Sequence, residues 1–567
     1  MKSRSFVVSA LILAMGGFFA KAIGALYKIP LTNILGSSGM GLYYLVFPVY
    51  SLIITLCSSG INVSLSTEVA KCRRARHRYN EQKLLRVGLI LSFCLSLIFT
   101  IVIIILSRSL SELQGNINAK LGYIAIAPAI IISSLIATLR GYFQGVENMV
   151  PTTVSMIVEQ IIKLSVGLIL AHKLCIYGIE FAVLGAVIGV TISEVVALII
   201  ISINFLTFKG QLYFNYRNLI YKGKKVVNVK SILKVNKKYN QCNTHIKFKT
   251  YLCSSKKIRY TNKIAIKKLL KVIIPATFSS IILPIATMLD SFMIINILVD
   301  SGYSSLISTS LYGLSSGVVQ TLISLPTILV AGVSTTIVPS LSGVVEEHEK
   351  INQRVKFFIK TTLVLSVFMF VIMFVFAKEI LMFLYGDGLT QNVIDELYYA
   401  TKMLQLSSAS ILYYAFLQTF IAILQTIDKP HIPCFVLLGS LVVRVLFTNI
   451  LVSIPNINIF GSIIANIIFL SLSVIILVCF IKKSIEFDFN FLNNLIMPLI
   501  IGLLVMGAIK GIYFGLSQIL NYFIAMVISA IIGLAIFVVW VYFSKIFSEK
   551  EKRKYFKFKK KLTKTKL

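Results

Sequence analysis

The chain has 567 residues, 57% of them hydrophobic, with 56 Lys and Arg against 21 Asp and Glu and a formal net charge of +35 at pH 7. Apolar runs spread from end to end place it in a bilayer, and the basic surplus lies beside those runs, which fits anionic lipid and excludes nucleic acid as the partner. The eight cysteines are scattered without a CxxC pair, so neither a disulfide framework nor a zinc site is expected.

A hydrocarbon core of about 30 Å takes roughly 20 apolar residues in a helix. Runs of that kind are predicted at 6–29, 41–70, 87–107, 121–143, 152–171, 181–208 and 270–298. They continue at 309–343, 357–377, 395–426, 432–453, 457–481, 491–513 and 518–544. The expectation is an all-α polytopic membrane protein of fourteen transmembrane helices. The first run passes Ala20 without a cleavage context and reads as a span rather than a removed signal.

Charge tests the count independently, because cytoplasmic segments carry an excess of Lys and Arg. With the N-terminus inside, that side receives Lys2 and Arg4, the cluster from Lys71 to Arg86, Arg140, the run from Lys209 to Lys271, Lys350 to Lys360, Lys429, Lys482, Lys483 and the tail from Lys545. Losing one span would invert every later assignment. Both termini are therefore expected in the cytoplasm. The stretch 209–269 has no Asp or Glu and reads as a basic linker on the inner leaflet. It separates a lobe of six spans (1–208) from a second lobe of six (270–490), followed by a hairpin (491–544) and a basic tail (545–567).

The lobes repeat. An offset of 281 residues pairs Gln144 with Gln425, Glu147 with Asp428 and Lys163 with Arg444; a second, separate match sets Gly60-Ile-Asn-Val-Ser against Gly332-Val-Ser-Thr-Thr, near the end of each lobe's second span. An even number of helices per lobe gives both the same orientation, so the repeat axis runs along the membrane normal. Transporters built this way hold substrate between the lobes and rock one against the other.

Ionisable residues inside spans are costly and normally face a cavity or a partner. Lys21 and Lys28 are two turns apart on the first span, on one face and about 10 Å apart, without an acid between them. That suits a phosphate or pyrophosphate, unless Lys28 snorkels to the outer surface beside Pro30. Glu159 and Lys163 are in the favourable i,i+4 order, which leaves two readings: the pair neutralises itself, or Lys163 serves a ligand. Arg444 has no acid within a turn and needs a partner or a ligand. Glu194 and Asp290 stand alone in apolar surroundings, to carry a proton or sodium ion or to pair with a neighbouring helix. Glu68, near the cytoplasmic end, is a surface residue or half of a gate.

The stretches Lys21-Ala-Ile-Gly-Ala-Leu-Tyr-Lys-Ile-Pro30, Gly39-Met-Gly-Leu-Tyr43, Ser59-Gly-Ile61, Arg140-Gly-Tyr-Phe-Gln-Gly145 and Val158-Glu-Gln-Ile-Ile-Lys163 resemble the stage V sporulation protein B group of polysaccharide-biosynthesis membrane proteins. That group belongs to the multidrug, oligosaccharidyl-lipid and polysaccharide exporter superfamily and is similar to the MurJ lipid II flippases. The resemblance implies two six-helix lobes in a V, with the final hairpin lining a groove for a lipid tail. It also implies a bacterial cytoplasmic membrane and no catalytic chemistry. The substrate would be an undecaprenyl-pyrophosphate-linked sugar unit of the lipid II kind, flipped outward by alternating access, with spore cortex synthesis as the setting and cell-wall synthesis proteins as partners.

By the same resemblance Lys21 falls where lipid II flippases have a cavity arginine, and Lys28 lies next to a second. The arginine those proteins carry on their second helix has no counterpart, because Ser51-Leu-Ile-Ile-Thr55 is uncharged, and Asn62 stands where the sporulation group commonly has proline. The expected anion ligands are thus Lys21, Lys28, Lys163 and Arg444, with Glu68, Glu159, Glu194 and Asp290 for ion coupling or gating. No cofactor or metal is expected, and coupling would come from Na+, H+ or the membrane potential. The rival readings are a drug/cation antiporter of the same superfamily, whose cavity would need acids, and a membrane glycosyltransferase, for which the external loops are too short.

Overall fold

A computed structural model describes residues 2–75, 77–223, 260–341, 348–386, 395–427, 429, 431–485, 496–544 and 546–547. Asp428, most of the basic linker and most of the tail lie outside the described residues. Among the described residues every regular element is helical.

The first lobe comprises α1 (Lys2–Ile54), α2 (Gly60–Arg74), α3 (Arg78–Leu113), α4 (Lys120–Gly145), α5 (Val150–Leu174) and α6 (Ile179–Gly223). Its plan follows from one residue. Gly36 has φ 64° and ψ −176°, a conformation that suits glycine and interrupts the helix. Before it, α1 lies along α5 in parallel: Ile12 meets Thr153, and Ile34 meets Cys175. After it, the chain lies along α4 in parallel: Leu45 meets Tyr123, and Cys57 meets Ser134. Helices α4 and α5 are antiparallel, with Arg140 against both Ser155 and Glu159. The chain therefore reverses at Gly36. A π-turn, Thr55–Ser59, joins α1 to α2.

The second lobe comprises α7 (Asn262–Ser280), α8 (Ile282–Asp300), α9 (Ser305–Gly313), α10 (Gln320–Leu341), α11 (His348–Val375), α12 (Ala377–Tyr385), α13 (Glu396–Thr426), α14 (His431–Val452) and α15 (Phe460–Ile485). Another π-turn, Leu314–Val319, lies between α9 and α10, so the second crossing of each lobe carries one. Helices α7 and α8 break at Ile281 and divide their allegiance. The α7 half packs on α2 and α3 of the first lobe, while α8 packs both on α14 of the second lobe and on α1 of the first.

The final helices, α16 (Met497–Ser517) and α17 (Tyr522–Phe543), pair with each other and lean on α11. Gly502 fits against Val367, Phe537 against Phe368, and Tyr513 against Phe376. Their other faces, including Leu503, Phe514, Ile531 and Phe543, are exposed, as lipid-facing side chains should be.

Thirteen helices among the described residues are long and apolar enough to cross a membrane, the first running from Met15 to Arg74. At 1.5 Å per residue that helix is far longer than a bilayer is thick, and Gly36 lies within it. Helix α6 runs past residue 208, and α7 begins at Asn262 rather than near 270, so both helices reach into the stretch expected as linker.

Candidate functional site

Polar contacts between the lobes concentrate at the end remote from the basic 71–86 segment. Asn33 donates to the Leu384 carbonyl at 3.0 Å, and the Ser37 hydroxyl donates to Glu396. Asn116 reaches Thr309 at 3.1 Å, and Asn296 reaches the Leu113 carbonyl at 2.7 Å. Gln114, fully buried, donates to the Leu45 carbonyl and to Ser291, each at 3.0 Å, and accepts from Tyr123 at 2.7 Å. The backbones meet there too: a Cβ on Gly313 would collide with the Ser37 carbonyl, and one on Gly41 with Thr309. This end of the pathway is closed.

Below that closure lies a cavity of about 350 Å³, at the small end of the roughly 300–1,000 Å³ typical of ligand pockets. The first lobe contributes one helix face, Tyr44, Phe47, Pro48 and Ser51, at the i, i+3, i+4, i+7 spacing that aligns side chains on a helix. The second lobe supplies hydroxyls and amides: Thr287, Ser315, Ser316, Gln320, Ser407, Ser410, Tyr414, Ser462 and Asn466. Ser315 and Ser316 belong to the π-turn, a distortion often found at functional sites.

Of the expected basic residues, Arg444 lines this cavity, and Lys28 and Lys163 lie against aromatic rings that line it. Lys28 is half-buried, with its ammonium 5.2 Å from the centre of the Tyr44 ring. Lys163 lies 5.1 Å from the Phe47 ring and 5.4 Å from that of Tyr27. Tyr44 and Phe47, one turn apart on the same helix, thus each carry a lysine ammonium. Aromatic faces hold cations without neutralising them, so both charges remain available behind the cavity wall. Arg444 lines the cavity from α14 and forms an ion pair with Asp290 of α8, while its Nε has no hydrogen-bond partner.

Lys21 is placed differently. It is exposed and has no hydrogen bond or ion pair among the described residues, so the shared helix face does not carry it into the same surroundings as Lys28. Of the two readings of Glu159 and Lys163, the self-neutralising pair is not the one found among the described residues: Glu159 takes Arg140 at 2.8 Å. The antiparallel packing of α4 and α5 brings a guanidinium across the interface, and Gln160 also donates to Glu159 at 3.0 Å. Asp290 takes the pairing alternative, with Arg444 of a neighbouring helix, and Glu194 is met by the Tyr50 hydroxyl rather than by a basic side chain. Glu68 pairs with Lys71 at 2.7 Å, one turn away towards the basic segment.

The sequence reading missed the aromatic shelf of Tyr27, Tyr44 and Phe47, and the Gln114 hub. The Tyr44–Phe47 spacing was a usable signal, since residues three apart share a helix face. Nothing local marks Gln114, whose partners come from three other helices.

The family model described as polysaccharide biosynthesis protein matches residues 6–234, and the one described as MatE matches residues 275–450. Stage V sporulation protein B of Bacillus subtilis (strain 168) is 26% identical over 391 residues, covering 68% of this chain and 68% of that protein. Among solved structures, the lipid II flippase MurJ in an inward closed conformation matches with a TM-score of 0.65 at 15% identity, covering 94% of this chain and 98% of the other. An inward-facing multidrug MATE transporter matches with a TM-score of 0.63 at 16% identity, covering 85% and 98%. The fold is the one these MurJ and MATE structures share.

Proposed function

We propose that this polysaccharide-biosynthesis and MatE-domain membrane protein is a flippase for a polyprenyl-pyrophosphate-linked saccharide. The observation that carries the reading is the unneutralised lysine pair, Lys28 and Lys163, held on aromatic rings that line the cavity. In a low-dielectric site such charges attract an anion strongly, and a pyrophosphate answers two cations. The facing wall has the opposite character. Arg444 is already paired with Asp290, and the remaining polar groups are neutral hydroxyls and amides suited to a sugar. Phosphate would sit on the first lobe and saccharide on the second, with Lys21 meeting the anion on its way in.

On this proposal the chain crosses the bacterial cytoplasmic membrane fourteen times, because Gly36 splits the longest helix into two crossings. Both termini face the cytoplasm, as the basic segments require, and the closed end faces outward. The described state is then inward-facing, ready to load from the inner leaflet. The α16–α17 hairpin would shield the lipid tail while the headgroup moves. A lipid II-like unit, with spore cortex as one destination, is in keeping with the sporulation and flippase relatives.

The second reading, a cation/drug antiporter, draws on the MatE domain and on the MATE likeness in fold. The cation surplus at the cavity weighs against it. The deciding experiment reconstitutes purified protein into vesicles containing a fluorescent undecaprenyl-pyrophosphate disaccharide and follows its exposure to an external quencher. Movement that Lys163→Ala abolishes supports the flippase. Proton-driven uptake of a cationic dye, with the lipid stationary, would replace it with the antiporter.

A further inference from the structure

Glu194 belongs to the first lobe but not to the cavity wall. It is 5% exposed on α6; one carboxylate oxygen accepts the Tyr50 hydroxyl, and Ser133 of α4 is placed to donate to the group as well. The other oxygen, Oε2, is buried without a hydrogen-bond partner. Tyr50 lies fourteen residues beyond Gly36 and Glu194 fifteen beyond the start of α6. At 1.5 Å per residue both are about 20 Å from the closed end, deep in the bilayer. A carboxylate anion with a bare oxygen at that depth is far costlier than the neutral acid.

The groups facing Glu194 from the packed helices are few. Helix α1 offers Tyr50, α4 offers Ser133, and α5 carries Glu159 and, one turn on, Lys163, which rests on Phe47, the ring that meets Tyr50 edge-on at 5.6 Å. Glu159 is already engaged with Arg140. Lys163 is therefore the cation left to answer a charge on Glu194, and it is the same cation that rests on the cavity-lining Phe47.

We propose that Glu194 is a proton-binding site whose charge decides how far Lys163 is offered to an anion in the cavity. When the acid ionises, the O–H bond breaks, its electron pair stays on the carboxylate and the proton leaves to water. Tyr50 and Ser133 keep donating to the carboxylate, and Lys163 swings from its aromatic shelf towards Oε2. Reprotonation returns Lys163 to Phe47 and Tyr27. Linkage makes the effect reciprocal: an anion bound at Lys163 favours the protonated acid, so loading takes up a proton and unloading releases one. A metal cation is the poorer occupant. Hard cations take six or more oxygens, whereas this chamber presents one carboxyl and two hydroxyls.

The inference rests on reading Lys163 as an anion ligand, and the test separates the two. Infrared difference spectra of the purified full-length protein are recorded across a pH titration for wild type, Glu194→Gln and Tyr50→Phe. Wild type should show a carboxylic C=O band that disappears on ionisation, that Glu194→Gln lacks, and whose midpoint Tyr50→Phe displaces. Binding of undecaprenyl pyrophosphate is then measured by calorimetry in two buffers of different ionisation heat. Wild type should take up protons on binding, and Glu194→Gln should bind without uptake.

A Glu194 band that does not titrate, one that sodium abolishes at constant pH, or proton uptake that persists in Glu194→Gln overturns the proposal. Should Glu194→Gln fail to fold, an unchanged midpoint in Tyr50→Phe overturns it alone. A titrating band with no binding of the lipid pyrophosphate sinks the flippase reading and the link to Lys163, and leaves the proton site standing.

Discussion

Arg140 of α4 and Glu159 of α5 form an ion pair at 2.8 Å with both side chains largely buried, and this pair leaves Lys163, one turn along from Glu159, without an acid of its own. Arg140 thus controls the charge of the cavity wall from a distance. Arg140→Gln should free Glu159 to neutralise Lys163 and reduce lipid-pyrophosphate binding to the level of Lys163→Ala. It should also cost about 3 kcal/mol of stability, as breaking a buried pair does. Adding Glu159→Gln should restore binding. Thermal unfolding in detergent and calorimetric titration of the double-mutant cycle check both halves, and a purely additive cycle would refute the coupling.

The aromatic shelf should matter in proportion to the cation–π energy. Phe47→Leu keeps an apolar cavity wall but removes one of the two rings under Lys163. A loss of about 0.5–2 kcal/mol corresponds to roughly 2- to 30-fold weaker anion binding. Lys163→Arg should retain most binding, because a guanidinium also stacks on aromatic faces. Equilibrium binding of undecaprenyl pyrophosphate to each variant gives the comparison.

Arg444 and Asp290 should respond asymmetrically to mutation. Arg444→Ala strands a carboxylate beside the cavity, which should cost about 3–5 kcal/mol of stability and repel the anion. Asp290→Asn releases the guanidinium instead and should strengthen pyrophosphate binding while slowing its release. Replacing both by Met and Leu should recover stability without recovering sugar selectivity. Thermal melts and binding assays with and without the saccharide report the three outcomes.

The closure at the outer end predicts a cross-link. Ser37 and Glu396 touch across the lobes, so cysteines at both positions should oxidise to a disulfide in the resting protein. The oxidised form should bind substrate from the inner leaflet and fail to move it, and reduction should restore movement. Gly313→Ala, which pushes against the Ser37 carbonyl, should lower the cross-linking yield. A quench-based flipping assay with gel mobility follows both.

The helical class, most of the membrane-crossing segments and the placing of Lys163, Arg444, Glu194 and Asp290 inside helices rather than loops were legible in the chain itself. The reason is that a bilayer taxes every polar residue in a span and every short apolar run. Hydropathy and charge asymmetry therefore record topology directly, and an ionisable residue inside a span announces that it has a partner.

Which partner it has is a different question, decided only when helices pack. Glu159 lies four residues from Lys163 yet bonds to Arg140, because α4 and α5 run antiparallel and present their side chains across the interface. Asp290 and Arg444 are separated by 154 residues, and no local pattern joins them. Lys21 and Lys28 share a face by periodicity, but only Lys28 meets an aromatic ring, since Tyr44 returns beside it after the reversal at Gly36. Sequence determined that charge would be buried here; tertiary structure decided which charges cancel and which remain to hold a ligand, because cancellation depends on contacts of a few ångströms between helices far apart in the chain.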